Sequence, residues 1–361
     1  MNILFLIRSD YLDKSGGDTF QALKTKEYLE KNNNVKIDIH HDIGNVELSN
    51  YDIIHIFNIQ IVDFAYNLVK KCRQKSQTIP ILLSPIIWDM SDGIYTSYYF
   101  KYFSNYFICG KFRFIRKLVD LIMLKHRKKI QYILTECSCL LPNSLEEDEF
   151  LKRKYKTIYK SIIVPNCIDI KMTSEEKKIG FKDYILEVGR IEPIKNQLGV
   201  LKAMMKQPDI PIIFIGKKNQ SYIRYLNKLD KLAKKRGNTF FIEHMPQDEL
   251  ISYYKNAKVH VLPSFRESPG LVSLEALYYN TNIVVSNKEF CPTGYYNFEK
   301  MAYICNPYNL KSIRNAILNA TNDNNIKVDQ QYFNFISYEN AAQITYDAYQ
   351  KCINNFNKNI E

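Results

Sequence analysis

The sequence predicts an α/β protein of two doubly wound domains, each a parallel β-sheet covered by helices on both faces. Short runs rich in Val, Ile, Leu and Phe alternate with longer segments of helical period, and the alternation starts again near residue 184. The chain has 361 residues, which is more than one hydrophobic core usually holds. We therefore expect two Rossmann-like domains that face one another across a cleft.

The first half contains six apolar runs of strand length, as expected for parallel strands buried on both faces. These runs begin at Asn2, Val35, Asp52, Ile79, Cys137 and Ile162. Segments of helical period separate them, the first of which follows Gly16 and Gly17. We assign residues 1–167 to the N-terminal, acceptor-side domain.

The second half repeats the pattern, with apolar runs that begin at Tyr184, Ile210, Thr239, Val259, Asn282 and Tyr303. Residues 184–336 are the expected C-terminal domain. The charged, aliphatic-poor residues 168–183 are the expected linker. No strand follows the last helical segment, residues 337–361, which we expect to cross back to the N-terminal domain.

Composition limits the class of protein. The eight cysteines form no Cys-x-x-Cys pair and have no histidine spacing typical of a zinc site, so we expect reduced thiols in a cytoplasmic protein. No apolar run approaches the ~18 residues of a membrane span, and the opening segment is better read as a strand than as a signal peptide. The net charge of +12 favours an anionic partner: nucleic acid, a membrane surface or a phosphorylated small molecule.

Charged residues follow the first strand of the second half, where ligands bind in open α/β sheets. Arg190 and Lys195 flank a turn that opens a helix, and two cations beside a helix N-terminus suit a diphosphate. The alternative is two solvated surface charges. After the next strands, Gly216 permits close approach of a ligand or of another backbone, and His244 either faces the cleft or is a hydrogen-bonded structural histidine.

Two glutamates bracket the turn after the fourth strand of this half. Glu267 lies in the loop and Glu275 in the first turns of the helix, with the backbone amides of Gly270, Leu271 and Val272 between them. This array offers acceptors for hydroxyl groups and donors for a phosphate. For Glu275 alone, complementing the helix dipole is an equally simple explanation.

These segments resemble one enzyme family. Residues 263–277 are similar to the Glu-x7-Glu signature of retaining glycosyltransferases of family 4, which have the GT-B fold. Residues 189–197 resemble the Arg and Lys pair of that family, and residues 164–170 resemble its interdomain segment with Cys167 in place of glycine. The segments that start at Ser15 and Tyr51 resemble its N-terminal glycine loop and third-strand motif.

The resemblance implies transfer of a sugar, with retention, from a UDP- or GDP-linked donor to a glycan or lipid-linked acceptor in cell-surface polysaccharide or glycoconjugate biosynthesis. It implies no cofactor, no obligatory metal and no nucleic-acid partner. Arg190, Lys195 and Glu267 would be catalytic, the first two holding the diphosphate and Glu267 positioning the donor sugar. The donor would also contact Glu275, Ser268, Gly270, Leu271, Val272, Gly216, His244, Gly16 and Gly17, with Glu275 on the ribose hydroxyls.

Two departures from the family pattern concern the sugar pocket. Pro269 stands where phenylalanine is usual, which stiffens the loop. Trp88 stands where many members have a histidine close to the donor sugar. Trp88 and Asp89 are therefore our acceptor-side candidates.

Residues 98–129 combine many aromatic residues with basic ones against the single acid Asp120. This mixture suits an anionic membrane surface, a groove for single-stranded nucleic acid, or a basic helix packed on its domain. We favour the membrane, and therefore a peripheral position at its inner face. The candidate contacts are Lys111, Arg113, Arg116, Lys117, Lys125 and Arg127.

Two other functions fit parts of the pattern. A GT-B epimerase would need further acid and base groups in the cleft, and a phosphorylase would need a pyridoxal-bearing lysine whose setting is not evident. A basic nucleic-acid-binding protein would show salt-dependent binding to oligonucleotides and no response to nucleotide sugars.

Overall fold

The computed structural model describes residues 1–9, 11, 17–103, 105–123, 126–169, 178–324 and 326–357. The chain forms two compact units. The first unit comprises residues 1–88, 122–169 and 331–361, and the second comprises residues 89–121 and 170–330. The chain therefore passes between the units four times.

Each unit contains one sheet in which the strand pairs are parallel. The spatial orders are β2-β1-β3-β4-β5 in the first unit and β11-β10-β9-β6-β7-β8 in the second. The strands are β1 (Asn2–Leu6), β2 (Lys36–His40), β3 (Ile53–Phe57), β4 (Ile81–Ser84), β5 (Cys139–Leu140), β6 (Tyr184–Val188), β7 (Ile212–Ile215), β8 (Thr239–Ile242), β9 (Ala257–Leu262), β10 (Asn282–Ser286) and β11 (Tyr303–Cys305).

Helices connect the strands, as crossovers between parallel strands require. They are α1 (Gly17–Asn32), α2 (Val62–Lys75), α3 (Ser91–Tyr102), α4 (Tyr106–Lys111), α5 (Arg116–Met123), α6 (Arg127–Glu136), α7 (Leu145–Tyr155), α8 (Gln197–Ala203), α9 (Ile223–Arg236), α10 (Gln247–Asn256), α11 (Leu271–Tyr278), α12 (Phe298–Met301), α13 (Leu310–Asn322), α14 (Gln330–Phe335) and α15 (Tyr338–Asn357).

Helix α15 belongs to the first unit, where it packs on α1. Tyr349 of this helix is fully buried in a cluster with Phe5 of β1, and its hydroxyl lies 2.7 Å from Nδ1 of His55. Ser84 lies 2.9 Å from the other ring nitrogen of His55. Burial lowers the pKa of His55 to about 3, so this histidine is a neutral, hydrogen-bonded core residue.

Residues 162–166, predicted as a sixth strand of the first sheet, add no strand to it. Leu140 and Ser161 make an isolated parallel bridge, and the Ile162 N–H donates to the Leu140 carbonyl at 2.9 Å. Strand β5 is only two residues long and Pro142 follows it, which leaves little ladder to extend. Of the linker expected at 168–183, residues 170–177 lie outside the described ranges.

Residues 89–121 are the main difference from the predicted division, which placed them in the N-terminal domain. Tyr95, Phe100 and Tyr106 are at most 5% exposed and belong to the hydrophobic core of the second unit, together with Leu198 of α8 and Phe214 of β7. These three aromatic residues therefore bury apolar surface within this unit.

Candidate nucleotide-sugar site

The predicted site begins at the carboxyl ends of β6 and β7 in the second unit, where two glycines meet. Gly189 and Gly216 both have φ of +149°. A Cβ atom on Gly216 would lie 2.2 Å from the Gly189 carbonyl oxygen. Gly216 therefore permits the close approach of a neighbouring backbone segment. This approach brings the loops after β6 and β7 together next to the Arg190 backbone.

Lys195 and Glu267, predicted to be catalytic, form an ion pair. Their side chains are 20% and 10% exposed, and the Ser264 hydroxyl also donates to the same Glu267 oxygen at 2.7 Å. The Glu267 N–H donates to the Phe290 carbonyl at 2.8 Å, which anchors the loop. Any anion that binds the Lys195 ammonium must therefore compete with Glu267 for it.

The turn that carries Lys195 is fixed by Asn196, which adopts a left-handed conformation with φ of 68°. Its buried side-chain amide donates to the Pro263 and Pro307 carbonyls at 3.0 Å each. These bonds join the turn after β6 to the segments that follow β9 and β11. They place Lys195 next to the Glu267 loop although 72 residues separate the two in sequence.

Arg190 lies apart from this ion pair. Its side chain is 68% exposed and its guanidinium is 3.1 Å from Glu192, which is buried and also accepts a hydrogen bond from Asn219 at 2.8 Å. Arg190 is thus an accessible cation held at the edge of the site, in a suitable position to meet an anionic ligand.

Glu275 lies on α11 and is hydrogen-bonded by two residues that the sequence analysis did not select. The Gln247 amide donates to one carboxylate oxygen at 2.7 Å and the Tyr254 hydroxyl donates to the other at 2.8 Å. Both residues belong to α10, so the carboxylate joins the two helices. The spacing of Gln247 and Tyr254 in the sequence did not predict their contact with Glu275, because that contact depends on how α10 packs against α11.

Gly270 immediately precedes α11 and has φ of +94°. A Cβ atom there would lie 2.8 Å from Leu262 and 3.4 Å from a Glu267 oxygen, so glycine is needed for the loop to pass this close. Ser268 and Pro269 lie in the loop before it, and Leu271 and Val272 form the first turn of the helix. The predicted amide array therefore lies beside Glu267.

The remaining predicted residues are dispersed. His244 is exposed in the loop after β8, and Gly17 is exposed at the start of α1 in the first unit, whereas Gly16 lies outside the described residues. Trp88, in the first unit, is 8% exposed and stacks on Phe150. Asp89 accepts hydrogen bonds from the N–H and hydroxyl of Ser91 at 2.9 and 2.6 Å.

The start of α3 lies against the ion-pair loops. A Cβ atom on Gly93 would be 2.8 Å from Ile194 and 3.7 Å from the Cβ of Arg266. These two residues immediately precede Lys195 and Glu267 in the chain. The segment 89–121 therefore forms part of the wall around the predicted catalytic residues.

Two of the predicted membrane contacts hold that wall in place. The Arg113 guanidinium makes two hydrogen bonds to Asp92 at 2.9 and 3.1 Å, and it lies 5.0 Å from the ring centroids of both Phe290 and Tyr308. The Tyr308 hydroxyl donates to Asp92 at 2.8 Å, and Arg116 also pairs with Asp92. These contacts give Arg113 and Arg116 a role inside the second unit.

The other four predicted membrane contacts differ in position. Lys111 and Lys117 are exposed, Arg127 is partly buried on α6, and Lys125 lies outside the described residues. Within the described ranges, no helix has the length and apolarity needed to span a bilayer. In the same ranges, no group of three or more His, Cys, Asp or Glu side chains is arranged to hold a metal ion.

The chain is similar to known glycosyltransferases. Residues 171–336 match the family model described as "Glycosyl transferases group 1". A D-inositol 3-phosphate glycosyltransferase of Mycobacterium sp. (strain KMS) is 31% identical over 102 residues, which are 27% of this chain and 23% of that protein. The match thus spans about a quarter of the length of this curated relative.

Two solved structures share the fold over almost the whole chain. Sucrose-phosphate synthase from Thermosynechococcus elongatus superposes with a TM-score of 0.69 at 14% identity, covering 99% of this chain and 98% of the other. A structure titled trehalose-6-phosphate from E. coli bound with UDP-2-fluoro glucose has a TM-score of 0.61 at 11% identity, covering 100% and 98%. The predicted GT-B fold class and the resemblance to glycosyltransferases are confirmed.

Proposed function

Since the chain carries a glycosyl transferases group 1 domain over residues 171–336, we propose that it is a retaining glycosyltransferase that uses a nucleotide-diphosphate sugar. One observation supports this most directly: Lys195 and Glu267, far apart in sequence, meet beside the N-terminus of α11. A cation and helix amides suit a diphosphate, and the adjacent carboxylate suits sugar hydroxyls.

The described groups have distinct roles in this proposal. Lys195 leaves Glu267 for the diphosphate and stabilises charge that develops on the leaving group. Arg190 supplies a second cation from the edge of the site. Glu267, once released, accepts hydrogen bonds from the donor sugar, and Glu275 exchanges one of its α10 partners for the ribose hydroxyls.

Retention follows if the acceptor attacks from the face that the leaving group vacates. The bond from the anomeric carbon to the diphosphate oxygen breaks, the acceptor oxygen bonds to that carbon on the same face, and the acceptor proton goes to the leaving phosphate. Glu267 then has a positioning and electrostatic role and forms no covalent intermediate. An anomer-resolved NMR spectrum of the product tests this part of the proposal.

A thermal-shift screen against UDP, GDP and ADP with their common sugars tests donor binding. A ligand at about 100 times its Kd stabilises the folded state by about 2.7 kcal/mol, which is readily measured. We expect Glu275→Ala to weaken nucleotide binding by about 10- to 100-fold, because hydrogen bonds to a charged group are lost.

The matched control is Glu243→Ala, which removes an exposed carboxylate from the loop after β8. We expect wild-type nucleotide affinity for this variant. Unchanged affinity in the Glu275 variant would remove that residue from the site, and no response to any nucleotide would contradict the proposed function.

We propose that the acceptor is a glycan or a lipid-linked glycan presented at the cytoplasmic face of an anionic membrane. The supporting observation is an exposed apolar surface on residues 111–118, flanked by the exposed Lys111 and Lys117. Phe112, Phe114 and Leu118 are 44%, 65% and 60% exposed, and aromatic and basic residues together favour an anionic interface. The relative's name mentions an inositol phosphate, so inositol phosphates belong among the acceptors to be assayed.

Replacing Phe112, Phe114 and Leu118 together with serine should release the protein from vesicles of mixed neutral and anionic lipid in a flotation assay. Replacing Lys111 and Lys117 should weaken binding by about 1 kcal/mol per charge, and only to anionic vesicles. Phe240→Ser is the control, because Phe240 on β8 is also partly exposed, at 37%. Undiminished vesicle binding by the triple variant would exclude this surface.

A further inference from the structure

Glu187 lies on β6 in the interior of the second sheet and is 1% exposed. Among the described residues, neither of its carboxyl oxygens has a partner at hydrogen-bond geometry, and the Gln197 side-chain amide is the polar group that interacts with it at longer range. Glu147, which is also fully buried on a regular element, differs in this respect. It accepts hydrogen bonds from the N–H groups of Ile87 and Asn143 at 2.5 and 2.6 Å.

The Glu187 side chain is on the sheet face covered by α8 and α9. It pairs in register with Phe214 and shares its face with Ile185, both in the core under those helices. Burial raises the pKa of the Glu187 carboxyl well above its ordinary value, and the charge of Glu267 adds to this shift. The Lys195 ammonium and the Gln197 amide oppose it.

The other titratable groups near Glu187 do not supply a counter-charge. The Tyr225 hydroxyl on α9 donates to Gln197 at 3.0 Å, and its pKa is raised first by burial, with Glu187 and Glu192 contributing. On β9, His260 registers with Leu186 and so faces the opposite side of the sheet. Burial, and then Lys195, lowers the pKa of His260 to about 3, so its ring is neutral.

We propose that Glu187 is a positioning residue for Lys195: an uncharged carboxylic acid near that side chain, whose neutrality leaves the ammonium able to move to a diphosphate. The backbone places the two close together, because a Cβ atom on Gly189, two residues after Glu187, would lie 3.8 Å from Cε of Lys195. A carboxylate buried without donors is costly, so the neutral form is the one that this environment favours. Ionised, Glu187 would be a second anion competing for Lys195 in a medium of low dielectric constant. The diphosphate part of this inference depends on the proposed function.

The first test needs no ligand. Because folding raises its pKa from about 4.5, Glu187 contributes stability that is complete below that pH and is lost as the pH rises toward the folded-state value. Urea unfolding of the wild type and of Glu187→Gln should therefore diverge above about pH 5. The ratio of their unfolding constants should change by up to tenfold per pH unit, in favour of the variant.

Burial also raises the pKa of Glu147, in this case to about 8. Because Glu147 is present in both proteins, its effect on the pH dependence of stability cancels in the comparison. A parallel pH dependence of the two proteins, or Glu187→Gln less stable by an amount that grows with pH, would overturn the proposal. If the amide itself prevents folding, Glu187→Met supplies the same comparison with an apolar side chain of similar volume.

The second test measures UDP affinity as the pH is raised from about 6 to the highest pH at which the protein stays folded. Wild-type affinity should fall by up to tenfold per pH unit once Glu187 ionises, whereas affinity in Glu187→Gln should lack this fall. When Lys195→Met is introduced into the wild type and into Glu187→Gln, the two resulting proteins should show the same pH dependence of UDP affinity. Identical pH profiles would overturn the connection to Lys195, whereas absence of UDP binding at every pH, with the stability result intact, would contradict the proposed donor and not the state of Glu187.

Discussion

Lys195→Met should lower kcat/KM for the nucleotide-sugar donor by about 100- to 1,000-fold, the size expected when one preorganised donor to the developing charge is lost. The methionine chain retains the apolar stem of lysine and removes the ammonium that pairs with Glu267. Steady-state kinetics with the donor identified by the thermal-shift screen measure the effect. We expect most of it in kcat, because the leaving-group charge is greatest in the transition state.

Lys231→Met is the matched control, since Lys231 is exposed on α9 of the same unit. It should retain wild-type kinetics. The variant Glu267→Gln keeps Lys195 but removes the carboxylate that competes for its ammonium. It therefore separates loss of the ion pair from loss of the ammonium itself. An equal kcat/KM for Lys195→Met and the wild type would exclude Lys195 from the reaction.

Gly216→Ala should lower the free energy of unfolding of the second unit by about 3 kcal/mol or more. The added methyl group would overlap the Gly189 carbonyl oxygen at 2.2 Å, and φ of +149° is also unfavourable for alanine. Neither strand end can yield easily, because the Gly189 N–H donates to Ile215 and the Gly216 N–H donates to Ile242 within the sheet.

Urea unfolding followed by far-UV circular dichroism checks this prediction. Fluorescence is less suitable, because the single tryptophan, Trp88, lies in the first unit. Gly180→Ala is the control: nothing lies within 4 Å of a Cβ atom there, and we expect a change of at most about 1 kcal/mol, in the stabilising direction. Equal stability of the two variants would show that the β6 and β7 loops relax more easily than their hydrogen bonds indicate.

The fold class was predictable because buried parallel strands are continuous apolar runs, and β6, β7 and β9 are clear examples. The same signal was wrong for residues 162–166, since an apolar run does not specify whether a neighbouring strand is long enough to pair with it. Local pattern also did not indicate that Tyr106 packs in the second unit. Its hydroxyl bonds to the carbonyl of Pro307, 201 residues away.

The site was predictable as a set of residues but not as a set of contacts. Glu267 and Lys195 were identified through motifs, whereas their ion pair depends on Asn196 holding two distant turns together. Arg113 was predicted to contact a membrane because of its charge, whereas in the structure its guanidinium forms an ion pair with Asp92. The sequence pattern did not mark Glu187 as a site residue, because a single acid inside an apolar run does not reveal which side chains surround it.

The interleaved course of the chain determines the order in which the units can be completed during synthesis. The first unit contains residues 1–88 and also α15, which is synthesised after every other described helix. The second unit is complete at residue 330, while part of the first has still to be made. Tyr95 and Phe100 meanwhile stay exposed until core partners such as Phe214 and Ile317 have been synthesised. We therefore expect the nascent chain to expose these aromatic residues for much of its synthesis, which favours chaperone binding at this segment.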